Sequence, residues 1–245
     1  MKISIFFISL FLIFSCKKAE KRSCFKSAGQ DVNKIIELQD FQKLKLKKKL
    51  KYILVQNDST YLKILGGKNL VNFVHWKISD DGFLEIFNDN KCNFLRDQKN
   101  VITVEINFKN LNEIMFEGSE TLECKDTLEL NTLRFVVLDA CGTFNLKLKA
   151  NFVDGHVSYG WGDYSICGIV QSAILGIKSN GYCHLENLKV LDQYELFNES
   201  FGDMHIHATN SKLSGYIAGQ GNIFYKGTPL SNKINIYGKG KLIAQ

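Results

Sequence analysis

Three histidines and a carboxylate stand at spacings that could build one site. His184 and Glu186 are followed one repeat later by His205 and His207, and Cys167 precedes them by about the same interval. Imidazole, carboxylate and thiolate together are ligand chemistry suited to Zn²⁺ or Cu²⁺. A second group is the run Tyr159-Gly-Trp-Gly-Asp-Tyr164. It gathers Tyr159, Trp161 and Tyr164, whose ring faces could stack on sugars. A third is Asp163, Asp203 and Asn222, each next to a glycine. A column of acids could cleave acidic polysaccharides, but acids beside turn glycines more commonly bond nearby main-chain N–H groups. The sequence holds no His-Glu-x-x-His, no Gly-x-Ser-x-Gly and no Gly-x-x-x-x-Gly-Lys, so it offers no familiar zinc-protease, hydrolase or phosphate-binding motif.

Such residues act together only if distant segments lie side by side, and a repeat supplies the means. Glycines 118, 142, 162, 181, 202, 221 and 240 recur at intervals of 24, 20, 19, 21, 19 and 19. Two residues after each stand Glu120, Phe144, Tyr164, Cys183, Met204, Ile223 and Leu242. Four after stand Leu122, Leu146, Ile166, Leu185, Ile206, Tyr225 and Ala244. Fifteen after stand Leu133, Val157, Ile177, Leu196, Ile217 and Ile236, with no polar member. Residues two apart share a strand face, and a segment of about twenty residues cannot bury its apolar side alone. Stacked coils about 4.8 Å apart give it a continuous core. The pattern predicts an all-β parallel solenoid over 38–245, with a β-sandwich as the rival reading. His184 is then expected over His205, and Glu186 over His207. Alternating segments at Phe41, Tyr52, Tyr61, Gly82 and Val101 are expected to form an irregular N-terminal β cap, with a helical turn within 67–75.

The chain has 245 residues, 45% hydrophobic and 23% charged, with one proline against 19 glycines. That composition excludes disorder and a collagen-like fibre. The net charge of +6 is local: residues 17–51 hold twelve Lys/Arg against four acids, while 52–245 hold 18 against 21. A nucleic-acid binder would spread its basic surface over the folded domain, so no nucleic-acid partner is expected. Met1-Lys2 and an apolar run reaching Ser15 read as a signal peptide over 1–15. Cys16 after Ile13-Phe14-Ser15 resembles a lipobox, so Cys16 is expected to carry acyl chains that hold the protein on a membrane. Residues 16–37 read as a polar tether. Export permits disulfides, but with no Cys-x-x-Cys pair most of Cys24, Cys92, Cys124, Cys141, Cys167 and Cys183 are expected to be buried free thiols.

The segment Gly219-Gln-Gly-Asn-Ile-Phe-Tyr-Lys-Gly-Thr-Pro, closing with Gly238-Lys-Gly-Lys-Leu, resembles the ending of the head GIN domain family of autotransporter-adhesin heads. Gly219, Gly221, Ile223, Tyr225, Gly227 and Pro229 occupy the family's closing motif. Lys68-Asn69, the Gly82-Phe-Leu-Glu-Ile strand and Leu111-Asn-Glu-Ile before Glu117-Gly-Ser are similar upstream. The family's repeats usually read Gly-Ser-Gly. Here they are Ala140-Cys-Gly, Gly160-Trp-Gly, Ser200-Phe-Gly, Gly219-Gln-Gly and Gly238-Lys-Gly. The resemblance implies a right-handed β-helix with a surface or periplasmic binding role. Together with Cys16 and the aromatic run, the expectation is an outer-membrane-anchored envelope lipoprotein, facing the periplasm or the cell surface, that binds glycans or surface proteins. The resemblance implies no catalytic residues, and no cofactor is expected beyond the Zn²⁺ or Cu²⁺ that the histidine group could hold. The alternatives are a polysaccharide lyase or hydrolase and a structural spacer in an envelope complex.

Overall fold

The computed structural model describes residues 27–90 and 101–245. Cys16, Cys24, Cys92 and the signal-peptide segment lie outside the described residues. Twenty strands form one continuous sheet wound into a solenoid, with no α-helix among the described residues. The expected helical turn near 67–75 is a single 3-10 turn, Val71–Phe73.

Parallel pairing carries most of the winding. Leu122, Phe144, Tyr164, Cys183, Met204, Ile223 and Leu242 are successive partners in one file, and each but the half-buried Leu242 is buried. The strands Thr143–Val157 and Asp163–Ile177 pair along nearly their whole length, the first alternating exposed and buried side chains over its opening half. Leu, Ile, Val and aromatic side chains from every coil meet in one core. Phe144 stacks on Phe135 at 4.7 Å and lies 6.0 Å from Phe116.

Two details of the repeat are corrected by the register. Phe144 pairs with Leu122, four residues beyond Gly118, so Glu120 occupies the first corner position and Gly118 does not. The first coil is two residues longer between Cys124 and Leu128, where the chain turns. Likewise, the file through Val157 and Ile177 continues to Asn198 and Ile217 rather than Leu196, and passes back through Val137 rather than Leu133. Loops between Leu185 and Gln193 absorb the extra residues of that coil.

A buried asparagine therefore sits in a file expected to be wholly apolar. Its amide is fully used: Asn198 Nδ2 donates to the Gly202 carbonyl at 2.9 Å, and its Oδ1 accepts from the Ser200 N–H and hydroxyl at 2.9 and 3.0 Å. The side chain closes the corner from inside, which is how a buried polar group is tolerated.

The N-terminal end is capped by reversal of strand direction. Tyr61–Gly67 runs antiparallel to Thr103–Phe108, Asp31–Glu37 antiparallel to Tyr61–Gly67, and Val74–Ile78 antiparallel to Phe83–Asn88. Asp31–Glu37, within the stretch expected to be tether, is a mostly exposed cap strand paired with Tyr61–Gly67. Mixed charge on such an edge discourages further strand addition. Four of the lysines that give residues 43–51 their basic character face acids on adjoining strands. Lys43 meets Glu113 at 3.6 Å, Lys45 meets Glu117 at 3.7 Å, Lys47 meets Glu85 at 3.7 Å and Lys51 meets Glu123 at 2.8 Å. Half-exposed pairs of this kind add little stability, but they offset the basic charge of Lys43, Lys45, Lys47 and Lys51.

Candidate site: an aromatic wall along the glycine corner

The strands that follow each glycine corner point alternate side chains outward, and the outward column reads Asn145, Ser165, His184, His205, Phe224 and Ile243. His184 pairs with His205 as the repeat required. The two imidazoles stack at 6.0 Å with planes 7° apart, and Phe224 continues the stack 5.0 Å from His205 at 11°. The neighbouring column holds Glu186, whose Oε1 is 3.8 Å from His184 Nδ1, and His207, whose Nε2 bonds the Thr209 hydroxyl at 2.8 Å.

Parallel stacking decides what this cluster can do. An imidazole nitrogen binds a metal in the plane of its own ring, so one ion cannot lie in the planes of two rings stacked face to face. Among the described residues no group of three or more His, Cys, Asp or Glu side chains is disposed to hold a metal ion. His184, Glu186, His205 and His207 come together, but as a ladder of ring faces and edges rather than as a zinc or copper ligand set.

The corner itself carries the second group. Tyr159 and Trp161 are exposed, Trp161 at 70%, whereas Tyr164 is fully buried and donates to the Gly176 carbonyl at 3.2 Å. Tyr164 cannot contact a ligand: it lies two residues after a corner glycine, in the inward file. Phe201, on the same corner two coils on, is exposed at 68%, and Tyr182 is also exposed. The acids of the third group are engaged in the turn. Asp163 Oδ1 accepts from the Tyr182 N–H at 2.8 Å, Asp203 Oδ1 from the Asn222 N–H at 2.7 Å, and Asn222 Oδ1 from the Lys241 N–H at 3.0 Å. Each staples one coil to the next.

A further ladder, on the strands that lead into the corner, escaped the sequence reading. Phe197 and Tyr216 are cross-strand partners stacked at 6.1 Å, Tyr237 lies 6.3 Å beyond, and His156 lies 5.8 Å from Phe197. The Lys178 ammonium sits 5.5 Å over the Phe197 ring. Gly176 separates His156 from Phe197 in the register, and a Cβ there would collide with the Phe197 ring, which leans across it. The signal in the sequence was Phe197 and Tyr216 one repeat apart, with a glycine one repeat before. Burial lowers the pKa of His156, helped by the Lys178 charge, favouring the neutral ring.

Tyr216 donates to Glu199, and this bond, which the carboxylate charge reinforces, pushes the phenol up to about 12. Its stabilising effect is present below the ordinary tyrosine pKa of about 10 and disappears as pH rises through the folded value. Glu199→Gln is expected to return Tyr216 toward the ordinary value. Ultraviolet difference titration against Tyr216→Phe reads this directly.

Two of the four described cysteines, Cys124 and Cys183, are buried free thiols; Cys141 is exposed and Cys167 half-buried, both also free. Burial raises the thiol pKa of Cys124 and Cys183. The closing-motif residues are structural. Gly221 packs against the Gly202 carbonyl, Ile223 is buried, Tyr225 covers the core, and Gly227 takes φ +90° in the turn before Pro229.

Known structures share this architecture. An adhesin-like protein from Bacteroides fragilis, titled a putative adhesin, superposes with a TM-score of 0.77 at 22% identity, covering 88% of this chain and 97% of its own. One from Parabacteroides distasonis, also titled a putative adhesin, gives 0.63 at 20%, covering 89% and 98%. A second protein of that species, titled a putative lipid binding protein, gives 0.62 at 17%, covering 89% and 97%. Among curated proteins none is significantly similar. The family model described as "Putative auto-transporter adhesin, head GIN domain" matches residues 40–229, from the first buried strand to the closing proline, and the chain belongs to that family.

Proposed function

We propose that this protein is a non-catalytic binding or adhesion head of the cell envelope, and that its ligand engages the aromatic wall around the glycine corner. One observation carries the reading: outward rings lie on both sides of the corner, exposed His184 with half-buried His205 and Phe224 on one and half-buried Phe197 and Tyr216 with exposed Tyr237 on the other, and exposed Tyr159, Trp161 and Phe201 stand on the corner itself. A sheet holds these rings at nearly fixed spacing, so little entropy is lost on binding. Ring faces at such spacing suit the apolar faces of sugar residues along a glycan chain, and many weak contacts add through multivalency. The family's adhesin description supports the same role. Acyl chains on Cys16 would hold the head at the outer membrane, and the anchoring is tested by palmitate labelling of wild type against Cys16→Ala.

The binding test is a glycan array followed by affinity measurement on the best ligand. Phe224→Ala and Tyr216→Ala, both removing outward rings, are expected to weaken binding about fivefold each, since stacked aromatic contacts contribute about 1 kcal/mol apiece. Binding unchanged in both variants overturns the aromatic wall as the site. Shortening of the glycan on incubation would instead establish a carbohydrate-active enzyme, and co-purification with envelope proteins without glycan binding would establish a spacer.

A further inference from the structure

The C-terminal end of the solenoid differs from the capped N-terminal end. The last strands, Ser231–Ile236 and Leu242–Ala244, each pair on one side only among the described residues, with Lys212–Ile217 and Ile223–Lys226. Their other edges have no strand partner there, and no antiparallel reversal covers them. The core side chains of this last coil come to the surface: Ile236 is 53% exposed, with Leu230 and Tyr237 exposed beside it. The Ile234 N–H is taken by Asn232 Oδ1 at 3.1 Å, a side chain standing where the next strand's carbonyl would be.

Charge at this end has one sign. From Met204 onward the sequence contains five lysines and no Asp or Glu. Lys212 pairs with Asp192 of the coil before, while Lys226, Lys233, Lys239 and Lys241 form no ion pair among the described residues.

From these features we infer that the C-terminal edge is a docking site for an extended acidic segment of a partner protein, which adds a strand to Ser231–Ile236. Strand addition satisfies edge N–H and C=O groups and places alternate side chains in and out. The added strand would set apolar residues over Ile234 and Ile236, continuing the core, and acidic residues on the outward positions beside Lys233. Other occupants fit less well. A second copy meeting this end across a two-fold axis would press the same lysines against each other. A lipid surface leaves edge polar groups unsatisfied. Within residues 1–26 the chain offers six Lys/Arg against Glu20, the wrong sign. Residues 91–100 leave from the opposite cap, eight rungs or roughly 38 Å away, too far for ten residues to reach and return.

The test uses the full chain and three labelled eight-residue peptides: alternating valine and glutamate, alternating valine and lysine, and a block-scrambled valine–glutamate control. Fluorescence anisotropy is expected to show binding of the first alone, weakening with salt. Lys233→Glu is expected to weaken it at least about tenfold by reversing the charge beside the added strand. Ile234→Pro is expected to do the same by removing an edge N–H, one the preceding strand does not use. Because proline could perturb the coil, Lys241→Glu, an exposed change, provides an independent variant, and circular dichroism confirms folding of each. Equal binding of the lysine or scrambled peptide, or no binding of the acidic one up to millimolar concentration, overturns the proposal. So does salt-insensitive self-association in sedimentation, or loss of phosphatidylglycerol-vesicle binding in the lysine variants without any peptide binding. Tyr216 lies on the strand paired with Ser231–Ile236, whereas Phe224 lies on Ile223–Lys226, which does not pair with it, so Phe224→Ala is expected to weaken glycan binding and leave peptide binding intact.

Discussion

Gly202→Val is expected to destabilise the protein by about 3–5 kcal/mol, the range of severe core substitutions. A Cβ at Gly202 would collide with the Gly181 carbonyl oxygen, with the carbonyl carbon 2.8 Å away. The obstacle is main chain of the coil beneath, so no side chain can swing aside. Relief requires these two coils to part, and a bond that holds them here runs from the Cys183 N–H to the Asp203 carbonyl at 3.2 Å. The same collision recurs at Gly221, against the Gly202 carbonyl. For a chain of this length each kcal/mol lowers Tm by about 2–4 °C, so thermal unfolding followed by circular dichroism should fall by roughly 6–20 °C. Gly82→Ala separates close approach from backbone conformation. Gly82 has φ +81° and open space around its Cβ position, so alanine there is expected to cost only about 1–2 kcal/mol. Equal effects at the two positions would refute close coil contact as the reason for the corner glycines.

Phe144→Ala is expected to cost about 3–5 kcal/mol through lost burial and the cavity left behind. The ring is fully buried, stacked on Phe135, beside Phe116 and in file between Leu122 and Tyr164. It joins the capped N-terminal coils to the regular ones. Coils of a solenoid contact chiefly their neighbours, so the damage should be local. Hydrogen exchange is expected to speed most in the strands Leu122–Cys124, Thr143–Val157 and Asp163–Ile177, with the terminal coils less affected. Phe197→Ala, on the outward face, is expected to cost less than about 1 kcal/mol. A larger loss at Phe197 than at Phe144 would contradict the assignment of inward and outward files.

Much of the candidate site was legible because a parallel solenoid converts sequence interval into spatial neighbourhood. The 21-residue step from His184 to His205 was enough to predict that pair. Reading failed where coil length changed. The longer turns near Lys125 and between Leu185 and Gln193 shift register, which displaced Leu133 and Leu196 from their assigned file and hid Asn198 within it. It failed again at Tyr164, where a run of aromatics in sequence mixes outward Trp161 with an inward ring.

The sequence by itself determined that coils stack, which residues fill the core, and that the final coils carry positive charge without acids. Those properties follow from side-chain period, burial of apolar surface and composition, all of which are local. Ring orientation belonged to the tertiary structure, because pairing fixes Cα neighbours while packing sets the planes. Only the folded chain shows His184 and His205 lying face to face rather than converging on an ion, Phe197 leaning over Gly176, and the last strand left with an open edge.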